Sequence, residues 1–452
     1  MTRATLDELD AFLAAHDVEA VEAFLTDANG VARGKVLRAS ELAGLYRAGR
    51  PLPGSTLGLD VTGMEVDETG LTWDVGDADK LAFPVAGSLR RAAWKSVPTA
   101  QVLLSLWEPD GSPHVADPRH VLAGVVARLS TAGYIPVVAA ELEFYVVDPV
   151  RGEHGLQAPR SPHTGRRLDQ LDSYSVDELA DFAPFFDELF AAARAMELPA
   201  ETLISESSPG QLEVVLRHRA DAMRAADEAV QWKRLVRGVA AKHGLLATFM
   251  AKPFSERAGS GLHIHASLED ERGHNLFASE APAGSALMRH AIGGLLAMLE
   301  ESMAVFAPNA NSYRRFHAHS YAPISRTWGV NNRSVAIRVP TGAPETRHLE
   351  HRVAGADANP YLAIAAVLAG IHEGIVEQLD PGPPLEGNGY ASTRRLPSDW
   401  QEALRRLRAS TSLATYFGAR FLAIYDTLKT VECRRFQARV TELDLDWYLT
   451  RA

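Results

Sequence analysis

The chain holds a single cysteine, Cys433, among 452 residues. One thiol excludes an internal disulfide and any cysteine-built zinc site. It contains no run of ~18 apolar residues, so no membrane span is expected. Positive charge is in deficit: 46 Lys and Arg stand against 57 Asp and Glu, a formal net charge of -11. That balance argues against nonspecific nucleic-acid binding. The first residues, Met1-Thr-Arg-Ala-Thr-Leu-Asp-Glu8, put acid where an export signal needs an apolar core. Internal repeats and low-complexity tracts are lacking, and so is the Gly-rich turn of a Rossmann unit. The expectation is a soluble, cytoplasmic protein. Its 46% hydrophobic content is enough for a large core divided into two or three domains.

What is present is polar residues at strand spacing. In Gly259-Ser-Gly-Leu-His263-Ile-His265-Ala-Ser267 the residues i and i+2 share a strand face. His263, His265 and Ser267 then line one face, and Leu262, Ile264 and Ala266 the other. The glycines ahead of them let backbone approach a ligand. Glu141-Leu-Glu143 repeats the spacing inside a strand-like run from Ile135 to Val147. Glu206-Ser-Ser-Pro-Gly-Gln-Leu-Glu213 places two more carboxylates around a Pro-Gly turn. His348-Leu-Glu350-His-Arg352 sets a His, a Glu and an Arg on one face. Carboxylate oxygens are hard ligands suited to Mg²⁺ or Mn²⁺, and clustered without a cation they repel one another. The economical reading is a site for more than one cation that handles phosphate.

Around these motifs, Thr5-Leu-Asp-Glu8 reads as a capping box. Val21–Leu25 and Val31–Leu37 read as strands joined across Asn29-Gly30. Residues 1–112 form a small β-rich unit and residues 113–452 a larger one. Asp117-Pro118 opens a helix that stops at Gly133. Residues 148–178 read as a long surface loop. Helices are expected over Phe185–Glu197, Ala220–His243, from Asn359-Pro360 to Leu379, and beyond Ser398.

In order and content these motifs resemble the glutamine synthetase superfamily over essentially the whole chain. The resemblance also rests on Lys252-Pro-Phe254, Asn332-Arg-Ser-Val-Ala-Ile-Arg-Val-Pro340 and Asp357-Ala-Asn-Pro-Tyr361. Asn311-Ser-Tyr-Arg-Arg-Phe316 and His351–Tyr361 look most like the branch of γ-glutamylputrescine (γ-glutamylpolyamine) synthetases. The resemblance implies an α+β fold: a small N-terminal β-grasp domain, then a large catalytic domain on a curved antiparallel sheet. It implies ATP and two or more Mg²⁺ or Mn²⁺ ions per site. It also implies a homododecamer whose active sites lie between subunits.

By the same resemblance, Glu141, His263 and Glu350 hold the cation on the ATP phosphates. Glu143, Glu206 and Glu213 hold the one nearer the glutamate γ-carboxylate. His265 and Ser267 face the nucleotide. Gly259 and Arg315 contact glutamate, and Arg352 lies near the transferred phosphoryl group or the substrate carboxylate. Arg333 and Arg338 neutralise phosphate charge, although an arginine's ordinary fate is a surface salt bridge.

Two departures bear on the substrate. Pro53-Gly-Ser-Thr56 has proline where ammonia-using relatives carry Asp. His319-Ser-Tyr321-Ala-Pro323 has Tyr321 where they carry a flap Glu. Losing both carboxylates removes an ammonium trap, while an alkylamine gains ~0.8 kcal/mol per buried methylene. The expected activity is ATP-dependent joining of glutamate to an amine through γ-glutamyl phosphate, with putrescine or a polyamine foremost. Ethanolamine, a monoalkylamine, an aromatic amine and ammonia remain as alternatives, as does a catalytically silent relative. His317, His319, Tyr321 and Glu213 are candidates to deprotonate the amine, and Asp60 to anchor its far end.

Overall fold

The computed structural model describes residues 3–153, 155–168 and 170–452. Met1 and Thr2, read above as part of an unsuited export signal, lie outside the described residues, as do His154 and Asp169 of the expected loop.

The first sheet comprises β1 (Ala20–Thr26), β2 (Ala32–Arg38), β3 (Arg50–Pro53), β4 (Asp79–Pro84), β5 (Arg90–Arg91) and β6 (Thr99–Trp107). Its order is β2-β1-β6-β4-β3, with β5 also on β6. The β1/β6 pair is parallel and the others antiparallel. Val21, Leu37, Val102 and Leu106 fill a core of its own under the first two helices.

One local expectation is met here and one needs correcting. Thr26 pairs with Ala32, so β1 and β2 form the expected hairpin, joined across Asn29-Gly30 by a five-residue loop. The Asp27 carboxylate enforces it by accepting from the backbone N–H of Asn29 and of Val31, each at 2.9 Å. The helix Leu6–Ala15 starts at Thr5, whose hydroxyl accepts from Glu8 N–H. The reciprocal half of the capping box is not made: Glu8 accepts from Gly87 N–H at 2.8 Å.

The larger sheet carries the polar motifs. Its strands are β7 (Ile135–Val147), β8 (Ala200–Ser205), β9 (Gln211–Leu216), β10 (Leu246–Thr248), β11 (Leu262–Glu269), β12 (Trp328–Val330), β13 (Ile337–Val339) and β14 (Leu349–His351). The order is β12-β13-β14-β11-β7-β9-β8, with β10 also on β7. It is antiparallel except for the β12/β13 pair at one edge. Period two holds throughout. Leu142, Phe144, Ile264, Ala266 and Leu268 are fully buried on the helix side. The opposite face takes Glu141, Glu143, His263 and His265.

The helices Pro118–Thr131, Ala183–Ala195, Ala222–Lys242, Ala286–Met298 and Pro360–Val376 pack in the same core. Asn359 caps the last of them through its side chain. Its Tyr361 hydroxyl donates to Asp227 at 2.7 Å, and Arg119 meets the same carboxylate at 2.9 Å, tying three helices together. Between Val147 and Val176 no helix or extended strand is described. Cys433 is buried in the helix Ala419–Gln437.

Candidate active site

Register alone brings the metal-type residues together. Glu141 of β7 lies directly opposite His263 of β11. Glu143 lies opposite Glu213 of β9. Glu350 of β14 lies between His265 on one side and Arg338 of β13 on the other. The Pro209-Gly210 turn then swings Glu206 back toward β7. Gly210 has φ +75°, and a Cβ there would meet the Val146 carbonyl oxygen at 2.5 Å.

These elements enclose a cavity of about 290 Å³. Glu141, Glu143, Glu206, Glu213 and His263 form its acidic floor, with Gly259, Arg315 and Arg352 beside it. Glu141 accepts from both imidazoles, His263 through Nδ1 and His265 through Nε2, the latter at 3.2 Å. His263 Nδ1 is also 3.7 Å from Glu350, and its Nε2 is 3.9 Å from Glu143. Two groups of three could each hold an ion: Glu141, His263 and Glu350, and Glu143, Glu213 and His263. The first matches the set expected from sequence. In the second, His263 stands where Glu206 was expected, and Glu206 lines the same cavity.

Burial and neighbouring charge set the protonation of this floor. Burial pushes Glu206 up to about 7, with Glu143 and Glu141 adding repulsion. The same causes raise Glu213, with Glu141 the largest charge. Burial also disfavours ionised Glu141, but His263 and His265 outweigh it and hold it well below the usual carboxylate range. Glu350 is likewise held low, mainly by Arg352. Carboxylates raised by their own crowding fit a divalent-cation site, because an ion would replace the protons.

The arginines divide. Arg338 pairs with Glu350 at 2.8 Å and reaches Asn331 at 3.2 Å. Arg352 pairs with the other oxygen of Glu350. Arg315 is buried and donates to the carbonyls of Val353 and Arg352 at 2.7 and 3.2 Å. It fits there only because position 259 is glycine: a Cβ would lie 2.7 Å from Arg315 Cγ. Arg333 is exposed and lines the cavity across from Glu206. Ser267 is buried two residues beyond His265 on the same face.

The cavity mouth carries two aromatic rings, with Ser173, Tyr174, Ser320, Tyr321 and Ala322, and the exposed Arg333 beside them. Tyr174, Tyr321 and His319 all have left-handed backbone, at φ +62°, +59° and +63°. A bulky residue adopts that conformation where its surroundings hold it there. His317 and His319 do not line the cavity; His319 packs on Tyr390 with ring centroids 5.6 Å apart. Tyr321 and Glu213 do line it.

Asp60 is not available as an anchor. It accepts from Thr62 Oγ1 at 2.6 Å, from two backbone N–H groups, and from Arg435 at 2.5 Å. Sequence reasoning missed Ser173, Tyr174 and Gln211. Gln211 donates to the Gly259 carbonyl at 3.0 Å and its oxygen accepts from Tyr145 at 3.3 Å, which clamps the glycine loop. The Gln of the Pro-Gly-Gln turn was its signal. Nothing in the loop sequence marks Tyr174.

Acid and imidazole converging on one strand face, backed by buried arginines, define a cation-dependent enzyme acting on anionic substrates. Residues 115–448 match the model of the glutamine synthetase catalytic domain. The chain is 40% identical over 434 residues to γ-glutamylputrescine synthetase PuuA of Escherichia coli, covering 96% of this chain and 92% of that one. It is 34% identical to γ-glutamylethanolamide synthetase GlnA4 of Streptomyces coelicolor, covering 99% and 95%. The solved structure of GmaS with ADP superposes with a TM-score of 0.85 at 28% identity, over 98% and 99% of the two chains. The chain therefore belongs to the glutamine synthetase family. That family's catalytic domain implies use of ATP and a divalent metal. Among the described residues, no helix is long and apolar enough to cross a membrane.

Proposed function

We propose that this enzyme joins the γ-carboxylate of glutamate to an amine at the expense of ATP, through γ-glutamyl phosphate, with putrescine or another polyamine as the amine. The observation that carries the reading is the polarity of one cavity: an acidic floor at Glu141, Glu143, Glu206 and Glu213, and an aromatic mouth without a carboxylate at Tyr174 and Tyr321. The floor suits cations and phosphate. The mouth has no carboxylate among its described residues to trap ammonium, and it offers ring faces to an alkyl chain.

Glu141, His263 and Glu350 are the proposed ligands of one cation, and Glu143, Glu206 and Glu213 of another, Mg²⁺ or Mn²⁺. Bound cations neutralise phosphate charge, which phosphoryl transfer needs more than covalent help. The protein's own part is positioning. His265, Ser267 and Arg338 lie at the proposed nucleotide end. Arg315 and Gly259 hold glutamate. Arg352, fixed by Glu350, and Arg333, free at the rim, face the reacting groups. Glu213 and Tyr321 are the remaining candidates to take the amine proton.

Division near residue 112 belongs to the same proposal, supported by the two separate sheets. So does a ring-shaped homo-oligomer, up to a dodecamer, with sites between subunits. Exposed Val61, Met64, Trp73 and Val75 on the small unit, and Leu443, Trp447 and Leu449 near the C-terminus, are apolar surfaces suited to such contacts. Cytoplasmic location suits an enzyme that draws on ATP.

The test is phosphate release with glutamate, ATP, Mg²⁺ and a panel of ammonia, ethylamine, ethanolamine, aniline, putrescine and spermidine. Diamines giving the highest kcat/KM is the expected result. A monoamine winning keeps the ligase chemistry and changes the substrate. Ammonia winning overturns the reading of the mouth, and no release with any amine points to a silent relative.

A further inference from the structure

Beyond the acidic floor, His265 meets two other imidazoles. His348 lies just ahead of β14 and His218 just past the end of β9. Ring centroids are 5.2 Å apart for His265 and His348, 5.3 Å for His218 and His348, and 5.9 Å for His218 and His265. One ring nitrogen from each lies within 4.8 Å of the others.

Two of the three imidazoles are held from behind. His348 Nδ1 is 2.9 Å from the Thr346 carbonyl oxygen, which only accepts, so Nδ1 carries the hydrogen. His265 Nε2 donates to Glu141 at 3.2 Å in the same way. His265 Nδ1 and His348 Nε2 face each other at 3.2 Å. Two nitrogens bound at ~2.0–2.1 Å to one tetrahedral zinc ion are themselves ~3.3 Å apart. A carbonyl behind one imidazole and a carboxylate behind the other is the backing that fixes metal-binding histidines. His218 is exposed and leaves the third side open to solvent.

We propose that His218, His265 and His348 bind a d-block dication such as Zn²⁺, at a site distinct from the carboxylate floor. Three imidazoles suit Zn²⁺, Co²⁺, Ni²⁺ or Cu²⁺, whereas the floor's oxygens suit Mg²⁺ or Mn²⁺. The assignment rests on this geometry and not on the substrate of the ligase.

The test uses the full chain, stripped with EDTA and held in millimolar Mg²⁺ to fill the floor. Equilibrium dialysis with Zn²⁺ alone gives the stoichiometry, and Co²⁺ as probe gives the visible absorption of a nitrogen-ligated, low-coordinate ion. The expected result is about one Mg²⁺-resistant Zn²⁺ per chain. Its affinity falls at least about tenfold in His218→Phe and in His348→Asn and is kept in Glu206→Gln. His218 is at the surface, so its variant folds, and phosphate release by that variant in Mg²⁺ alone reports this. Zn²⁺ wholly displaced by Mg²⁺, or binding unchanged in both histidine variants, overturns the proposal and leaves a shared proton between His265 and His348.

Discussion

Glu143 of β7 and Glu213 of β9 are direct cross-strand partners in the larger sheet. Like charges placed opposite each other destabilise a sheet by roughly 0.2–1 kcal/mol. Burial sharpens the conflict, and Glu213 answers it by holding a proton well above the usual carboxylate range. A fold keeps such a pair where a cation relieves it. Glu213→Gln removes the carboxyl that has to be held protonated, and the ligand with it. The metal-free variant melts slightly above the parent, by at most ~1 °C for a chain of this length. Its Mg²⁺-induced thermal shift disappears, and phosphate release falls at least about a hundredfold. A variant that keeps its activity contradicts the assignment of Glu213 as a ligand.

Metal binding is expected to expel protons. Without a cation, Glu206 is pushed up to about 7 by burial and by Glu143 and Glu141. A cation binds the carboxylate form, so near neutrality its arrival displaces the proton. Mg²⁺ affinity then rises from pH 6 to pH 8. Titration calorimetry in two buffers of different ionisation enthalpy reads the released protons directly. Equal heats in both buffers would contradict this account.

Much of the site was legible in the sequence because strand period two is a rigid rule. Glu141 and Glu143, His263 and His265, and Glu350 and Arg352 fall on one face for that reason alone. What was not legible depends on contacts between distant segments. Tyr174 comes from a loop with no periodic signal, and only its packing against the mouth shows a role. His218 lies just past β9, where alternation no longer says which way a side chain points. Asp60 looked like a free carboxylate until the fold brought Arg435 to it across 375 residues.

Lys233 gives a stability prediction outside the active site. It lies in the helix Ala222–Lys242, buried, with Nζ donating to the Ala358 carbonyl at 3.2 Å. Burial, with Arg237 adding, pulls its pKa down to about 7. The unfolded lysine titrates near ~10.4. Between those values the unfolded chain binds a proton that the folded chain has released, so this group's contribution to stability rises with pH. Below pH 7 the penalty of the buried charge is fully present. Lys233→Met is therefore expected to raise Tm most at pH 6.5 and least at pH 10. A gain independent of pH would mean that packing, not charge, accounts for it.

Tyr321 carries the substrate prediction. It stands at the cavity mouth, 66% exposed, on left-handed backbone at φ +59°. Replacing it disturbs little packing, so its effect is local. Tyr321→Glu supplies a carboxylate where ammonia-using relatives carry one, and removes a ring face that an alkyl chain can cover. Ammonium gains an ion pair. Putrescine gains part of the same attraction but loses apolar contact. The ratio of kcat/KM for ammonia to that for putrescine is expected to rise at least about tenfold, or ~1.4 kcal/mol. Tyr321→Gln, with similar length and no charge, separates the two effects by weakening putrescine use without improving ammonia. If glutamate raises both substrates equally, the mouth does not discriminate between them, and selection lies with a surface that a neighbouring subunit brings.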